Sequence, residues 1–110
     1  MSESSDAIER EILRPLWKVH ILHHAGEEPI LGNWMLEELR EHGYRVSPGT
    51  LYPMLARLTR LGWLAAEKTG EGNTVRYRLT KAGRVVLEEV QARLTELQQE
   101  VFSPRRGEKG

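Results

Sequence analysis

From Asp6 to about His24 the apolar residues recur along two stripes, Ile8, Ile12, Leu16 and Val19 on one and Leu13, Trp17 and Ile21 on the other. The spacing predicts a helix, and a helix apolar over so wide an arc packs against two bodies. Asp6 with Glu9 three residues on forms a capping box that opens it. Pro15 lacks an N–H and crowds the carbonyl of Glu11, which predicts a kink there or a helix that begins near Arg14. The stretch AGEEP at 25–29 reads as a turn. Asn33 then caps a second helix through about His42, with Met35, Leu36 and Leu39 inward and Gly43 at its C-terminal end. Trp34 falls off that stripe and is either a partner contact or an exposed aromatic.

In the stretch SPGTLYPMLARLTRLGWL at 47–64, Ser47 caps a third helix and Pro48 takes the first helical position. Leu51, Leu55, Leu58 and Leu61 bury one face, and Gly62 stops the helix. Residues 63–69 and 74–79 read as strands around GEGN, with Val75, Tyr77 and Leu79 alternating with outward Arg76 and Arg78. Gly70, Gly72 and Asn73 supply the positive-φ positions of the hairpin. Thr80 caps the last helix. Its Gly83, Leu87, Val90, Leu94, Leu97 and Val101 are spaced 4, 3, 4, 3, 4, the seam of a coiled-coil-like helix pair.

Three helices followed by a hairpin describe a mainly α (α+β) winged helix-turn-helix. It would occupy residues 6–80, with a C-terminal dimerisation helix at 81–102 and a frayed tail at 103–110. In such a fold the helix after the turn enters the major groove and the hairpin reaches an adjacent backbone or minor groove. That explains the odd composition of the 48–61 helix. One face holds the core. The other must approach duplex DNA, with Ser47, Gly49 and Thr50 at the start and Tyr52 and Pro53 offering apolar surface to a thymine methyl. Arg57 and Arg60 reach phosphate or a guanine edge, and Lys68, Asn73 and Arg76 of the hairpin complete the surface. Leu16, Trp17, Leu87, Val90, Leu94, Leu97 and Val101 are the expected dimer interface.

Charge sharpens the picture. The 110 residues carry no net charge, yet residues 43–84 hold eight Lys/Arg against two Asp/Glu, between acidic flanks. This is the footprint of a phosphate-binding face. The chain has no cysteine, which rules out disulfides and thiolate metal sites. No apolar run approaches the roughly 20 residues that span a bilayer, so a cytoplasmic protein is expected. No nucleophile–base pair, phosphate loop or paired acids stand out, and neither an enzyme nor a cofactor is expected. His20, His23 and His24 invite a metal reading, since residues four apart on a helix face the same way. Without a carboxylate or cysteine at matching spacing they are taken as structural or interface histidines, with no metal assigned.

The run Pro48, Thr50, Leu51, Tyr52, Pro53 with Leu58 and Gly62, followed by Arg76, Tyr77, Leu79, Thr80 and Gly83, resembles the PadR family of transcriptional regulators. The resemblance extends from about Leu13 through the last helix. It implies a homodimeric repressor of a pseudo-palindromic operator, whose C-terminal helix dimerises against the first helix of the partner. One departure is Gly49, where a serine or similar small residue is common. Another is a last helix without the tryptophan on which some drug-sensing relatives stack flat ligands. A two-fold assembly leaves a space bordered by Trp17, His20 or His24, the expected pocket for a small organic effector. The alternatives are a metal-responsive repressor and a winged-helix module for protein–protein contact.

Overall fold

The structure, a computed structural model, describes residues 3–70 and 72–103; most of the tail at 103–110 lies outside them. The first helical stretch opens before Asp6. Helix α1 (Glu3–Ile8) passes into a π-turn over Glu9–Leu13 and on into α2 (Arg14–Glu27). Within it the Arg14 N–H donates to the Glu9 carbonyl, five residues back. Pro15 accounts for the bulge: it cannot donate to Glu11 and its ring crowds that carbonyl, so the coil widens just before it. The irregularity expected at Pro15 is therefore a bulge in a continuous helix, neither a kink nor a late start. Asp6 pairs with Arg45 instead of capping.

α2 also runs three residues past His24, so most of the expected turn is helical. A two-residue strand follows, β1 (Ile30–Leu31), too short to show any alternation. Helix α3 (Gly32–Glu41) starts one residue before Asn33, with Leu31 at the cap position. The Asn33 side chain accepts only from the Trp34 N–H, at 2.9 Å. Helix α4 (Pro48–Arg60) begins where expected, the Ser47 carbonyl accepting from the N–H groups of Thr50 and Leu51. The Ser47 hydroxyl meets Thr50 Oγ1 and caps nothing. Pro53 is tolerated one turn in because the carbonyl it leaves unbonded belongs to exposed Gly49. Leu51, Met54, Leu55 and Leu58 are buried, whereas Leu61, past the last helical turn, is exposed.

Strands β2 (Leu64–Lys68) and β3 (Val75–Leu79) form the wing, antiparallel with Leu64 opposite Leu79 and Lys68 opposite Val75. β1 adds to the far edge of β3, so the hairpin is part of a three-stranded sheet. Of the three wing positions expected at positive φ, only Gly72 adopts it. Helix α5 (Lys81–Val101) is capped as expected, Thr80 Oγ1 accepting from the Gly83 N–H at 2.9 Å.

The core lies where α2, α3, α4 and β2 meet, around the fully enclosed Trp17, Ile21, Met35, Leu39, Leu51, Leu55, Leu58 and Leu64. The apolar seam of α5 divides. Gly83 and Leu87 pack on their own domain, Val90 is half-buried, and every residue from Gln91 to Val101 is exposed. Gly83 is the tightest point: a Cβ there would lie 2.1 Å from the Trp63 carbonyl oxygen. The distal half of α5 thus projects from the domain, and the molecule measures 62 Å along its longest axis.

Candidate nucleic-acid interface

From its cap to its last turn, α4 presents Ser47, Gly49, Tyr52, Pro53, Arg57 and Arg60 to solvent, with Thr50 half-buried behind them. Tyr52 leans its ring over the start of α3, and a Cβ on Gly32 would lie 2.5 Å from Tyr52 Cε1. Only a glycine leaves room for the ring in that position. Tyr52, Gly32, Asn33, Asn73, Val75 and Tyr77 border a groove of about 520 Å³ between the two helix starts and the wing. Burial, and then the neighbouring Tyr52, push the Tyr77 phenol above its ordinary pKa.

The cations sort by partner. Arg40, Arg45 and Arg78 are engaged by Glu37, Asp6 and Glu67. Arg57, Arg60 and Lys68 have no ion pair with any described residue. Lys68 pairs with Val75 across the ladder and so shares the wing face that carries Tyr77. Arg76 does not. Alternation along β3 turns it to the other face, opposite Leu31. There it borders a second cleft of about 540 Å³ with His24, Glu27 and Trp34. The structure thus gathers Tyr52 and Asn73 at one groove, leaves Arg57, Arg60 and Lys68 unpaired, and sets Arg76 apart.

The expected dimer and effector residues are also redistributed. Trp17 is 0% exposed within the single chain, and its Nε1 donates to the buried Glu9 carboxylate at 3.2 Å. It offers no surface to a partner or a ligand, which corrects both roles expected of it. Leu87 is likewise enclosed by its own domain. Leu16 and Val90 are half-buried, and Leu94, Leu97 and Val101 are open, with Leu97 50% exposed. Ile8 and Ile12 add an exposed apolar stripe at the other end of the chain.

The histidines form a cluster that spacing along one helix does not reveal. His20 and His24 on α2 meet His42 at the end of α3, their ligating atoms all within 4.8 Å of one another. A carboxylate is present after all. Glu38 Oε2 lies 3.3 Å from His24 Nε2 and 3.1 Å from His42 Nε2. His20 Nε2 sits 3.1 Å from Tyr44 Oη. Burial foremost, then the charges of His42, His24 and His23, hold His20 below its ordinary pKa. The spacing Glu38-x3-His42 was the overlooked signal, on a second helix. A more exposed grouping of His23, His24 and Glu27 lies alongside.

No helix among the described residues is long and apolar enough to cross a membrane. Residues 21–89 match the model of the Transcriptional regulator PadR-like family. The chain is 49% identical over 95 residues to the Transcriptional regulator Rv3488 of Mycobacterium tuberculosis (strain ATCC 25618 / H37Rv), covering 84% of this chain and 89% of that protein. Among solved structures it resembles a PadR family transcriptional regulator from Eggerthella lenta DSM 2243, at 30% identity and a TM-score of 0.70 over 91% of this chain and 94% of that one. A PadR-like transcription factor from Bacteroides fragilis is similar at 28% identity and a TM-score of 0.71, over 86% and 94% of the two chains. With the family model spanning the helix-turn-helix, the wing and the start of α5, the chain belongs to the PadR-like family of transcriptional regulators.

Proposed function

We propose that the protein is a cytoplasmic, sequence-specific DNA-binding repressor that works as a homodimer on a pseudo-palindromic operator. The observation that carries this reading is the exposed face of α4. It opens with Gly49 and Tyr52 and continues into arginines that no described carboxylate neutralises. Close approach by small residues followed by free cations is the order in which a recognition helix meets base edges and then phosphate. The dimer follows from the projecting half of α5, since an apolar stripe of Leu94, Leu97 and Val101 is rarely left in water.

An effector would act through the dimer. Two recognition helices must be spaced by about one duplex turn, roughly 34–36 Å, so a ligand that prefers one dimer geometry shifts operator affinity. A small organic effector fits the cleft beside Trp34 and His24 better than the closed surroundings of Trp17.

Footprinting on the DNA that flanks its own coding region tests the proposal, joined to a salt titration of binding. Arg57, Arg60 and Lys68 from two protomers predict a log–log salt slope of about −5. Absence of binding, or a slope near zero, would favour a winged helix used for protein contact.

A further inference from the structure

Two i, i+4 motifs face each other across the junction of α2 and α3. His20 and His24 stand one turn apart on α2, and Glu38 and His42 one turn apart at the end of α3. Residues four apart on a helix share a face, and here both faces turn to the same point. Neither the DNA-facing surface nor the α5 seam uses any of the four. Imidazoles packed this closely would repel one another if protonated, and the ring centroids of His20 and His42 are only 4.8 Å apart. Close packing of imidazoles beside one carboxylate is what a metal ion asks for.

We propose that His20, His24, His42 and Glu38 form a binding site for one divalent transition-metal ion of the zinc type. Three imidazole nitrogens and one carboxylate oxygen suit a borderline ion and exclude magnesium or calcium, which take oxygen donors. With bonds of 2.0–2.1 Å, the edge of a tetrahedral site is about 3.3 Å. The contacts of Glu38 with His24 and His42, at 3.3 and 3.1 Å, already have that length. The ligating atoms of His20, His24 and His42 lie within 4.8 Å of one another, so binding calls for side-chain rotation to draw them in. Tyr44 engages one ring nitrogen of His20, the arrangement in which a ligating imidazole keeps its second nitrogen on an outer partner. An ion here ties α2 to the end of α3, directly before the loop through Gly43 and Val46 that leads into α4. The site stands on the cluster alone and holds whether or not the chain represses transcription.

Untagged full-length protein, stripped with a chelator and dialysed, should be titrated calorimetrically with zinc chloride. Cobalt(II) serves as the optical probe of coordination number. One zinc per chain is expected, with the intense visible bands of four-coordinate cobalt. His42→Ala and Glu38→Gln change exposed or half-exposed side chains, and circular dichroism will verify their folding. Loss of an outer partner weakens metal sites roughly 10–100-fold, and each of these variants should lose at least that much affinity. His23→Ala should bind as the wild type does. Wild-type affinity in both His42→Ala and Glu38→Gln would overturn the assignment, as would absence of zinc binding. Loss of binding in His23→Ala alone would overturn it in favour of His23, His24 and Glu27.

Discussion

Gly83 and Gly49 both lie in helices, and replacing each with alanine should move stability in opposite directions. At Gly83 an added Cβ would lie 2.1 Å from the Trp63 carbonyl oxygen and 2.6 Å from Leu79 Cδ1. The obstacle is backbone, and it is held from both sides: the Thr80 N–H donates to that same carbonyl at 3.1 Å, and the Thr80 hydroxyl donates to Gly62 O at 2.6 Å. Relief therefore requires α5 to lift off the start of β2, loosening Leu87. Overpacking of this severity costs about 3 kcal/mol. The better helix propensity of alanine returns about 1 kcal/mol, leaving a net loss of ~2 kcal/mol. For a domain of this size that corresponds to a thermal midpoint lower by roughly 8–16 °C. At Gly49 the same Cβ meets only Ser47 Oγ, at 3.9 Å, so Gly49→Ala should gain about 0.4–1 kcal/mol through the unfolded chain. Melts followed by circular dichroism at one matched protein concentration measure both, since a dimer's midpoint depends on concentration. A Gly83→Ala midpoint equal to or above the wild type would refute the packing argument. On DNA the ranking should invert for Gly49→Ala: the more stable protein should bind its operator less well, because the methyl group stands where α4 approaches the groove.

Leu94→Asp puts a charge into the open part of the α5 seam and should shift the protein to monomer in sedimentation, and a wild type already monomeric at micromolar concentration would remove the basis of the dimer. Tyr52→Ala should cost about 1–3 kcal/mol on the operator and little on random DNA; equal losses on both would mean that Tyr52 does not read sequence. Arg60→Ala should weaken both DNAs and reduce the salt slope by about 1 per protomer, which a binding titration across salt concentrations will detect. Gly32→Ala forces the exposed Tyr52 ring aside, so it should leave the melting curve nearly unchanged while operator discrimination falls, and unchanged discrimination would disconnect Gly32 from the site.

Spacing alone carried the larger elements. The core leucines Leu51, Leu55 and Leu58 of α4, the start of that helix after Ser47, the alternation of β3 and the cap at Thr80 fall where the pattern of residues puts them, because each is a local decision within a few residues. What stayed hidden was decided at a distance. β1 is two residues long and exists because β3 offers an open edge. α3 takes its start from that strand, so Asn33, a good capping residue, is left inside the helix. The seam of α5 reads as one continuous stripe, yet its first two positions are claimed by Trp63, Leu79 and the domain core. Trp17 suffered the same way: an aromatic on a two-stripe helix looks available until Glu9, Arg14 and the loop at Tyr44 close over it. Of the candidate site, the α4 residues were legible from their own helix. The metal cluster was not, since its halves lie on different helices.

The π-turn at Glu9–Leu13 has an effect on chain length. A π-turn holds one residue more than the regular coil, and one residue of α-helix is a rotation of about 100°. Ile8 therefore points to a different side from the one that unbroken α-helix would give it relative to Ile21. Replacing Pro15 with alanine at unchanged chain length would let the coil close to a regular α-helix and swing the whole preceding turn around the helix axis, whereas deleting one residue between Glu9 and Leu13 would remove the extra residue and leave that turn where it is. The direction of the amino-terminal apolar stripe is thus set by the one residue that the π-turn holds in excess, and a single proline keeps it there.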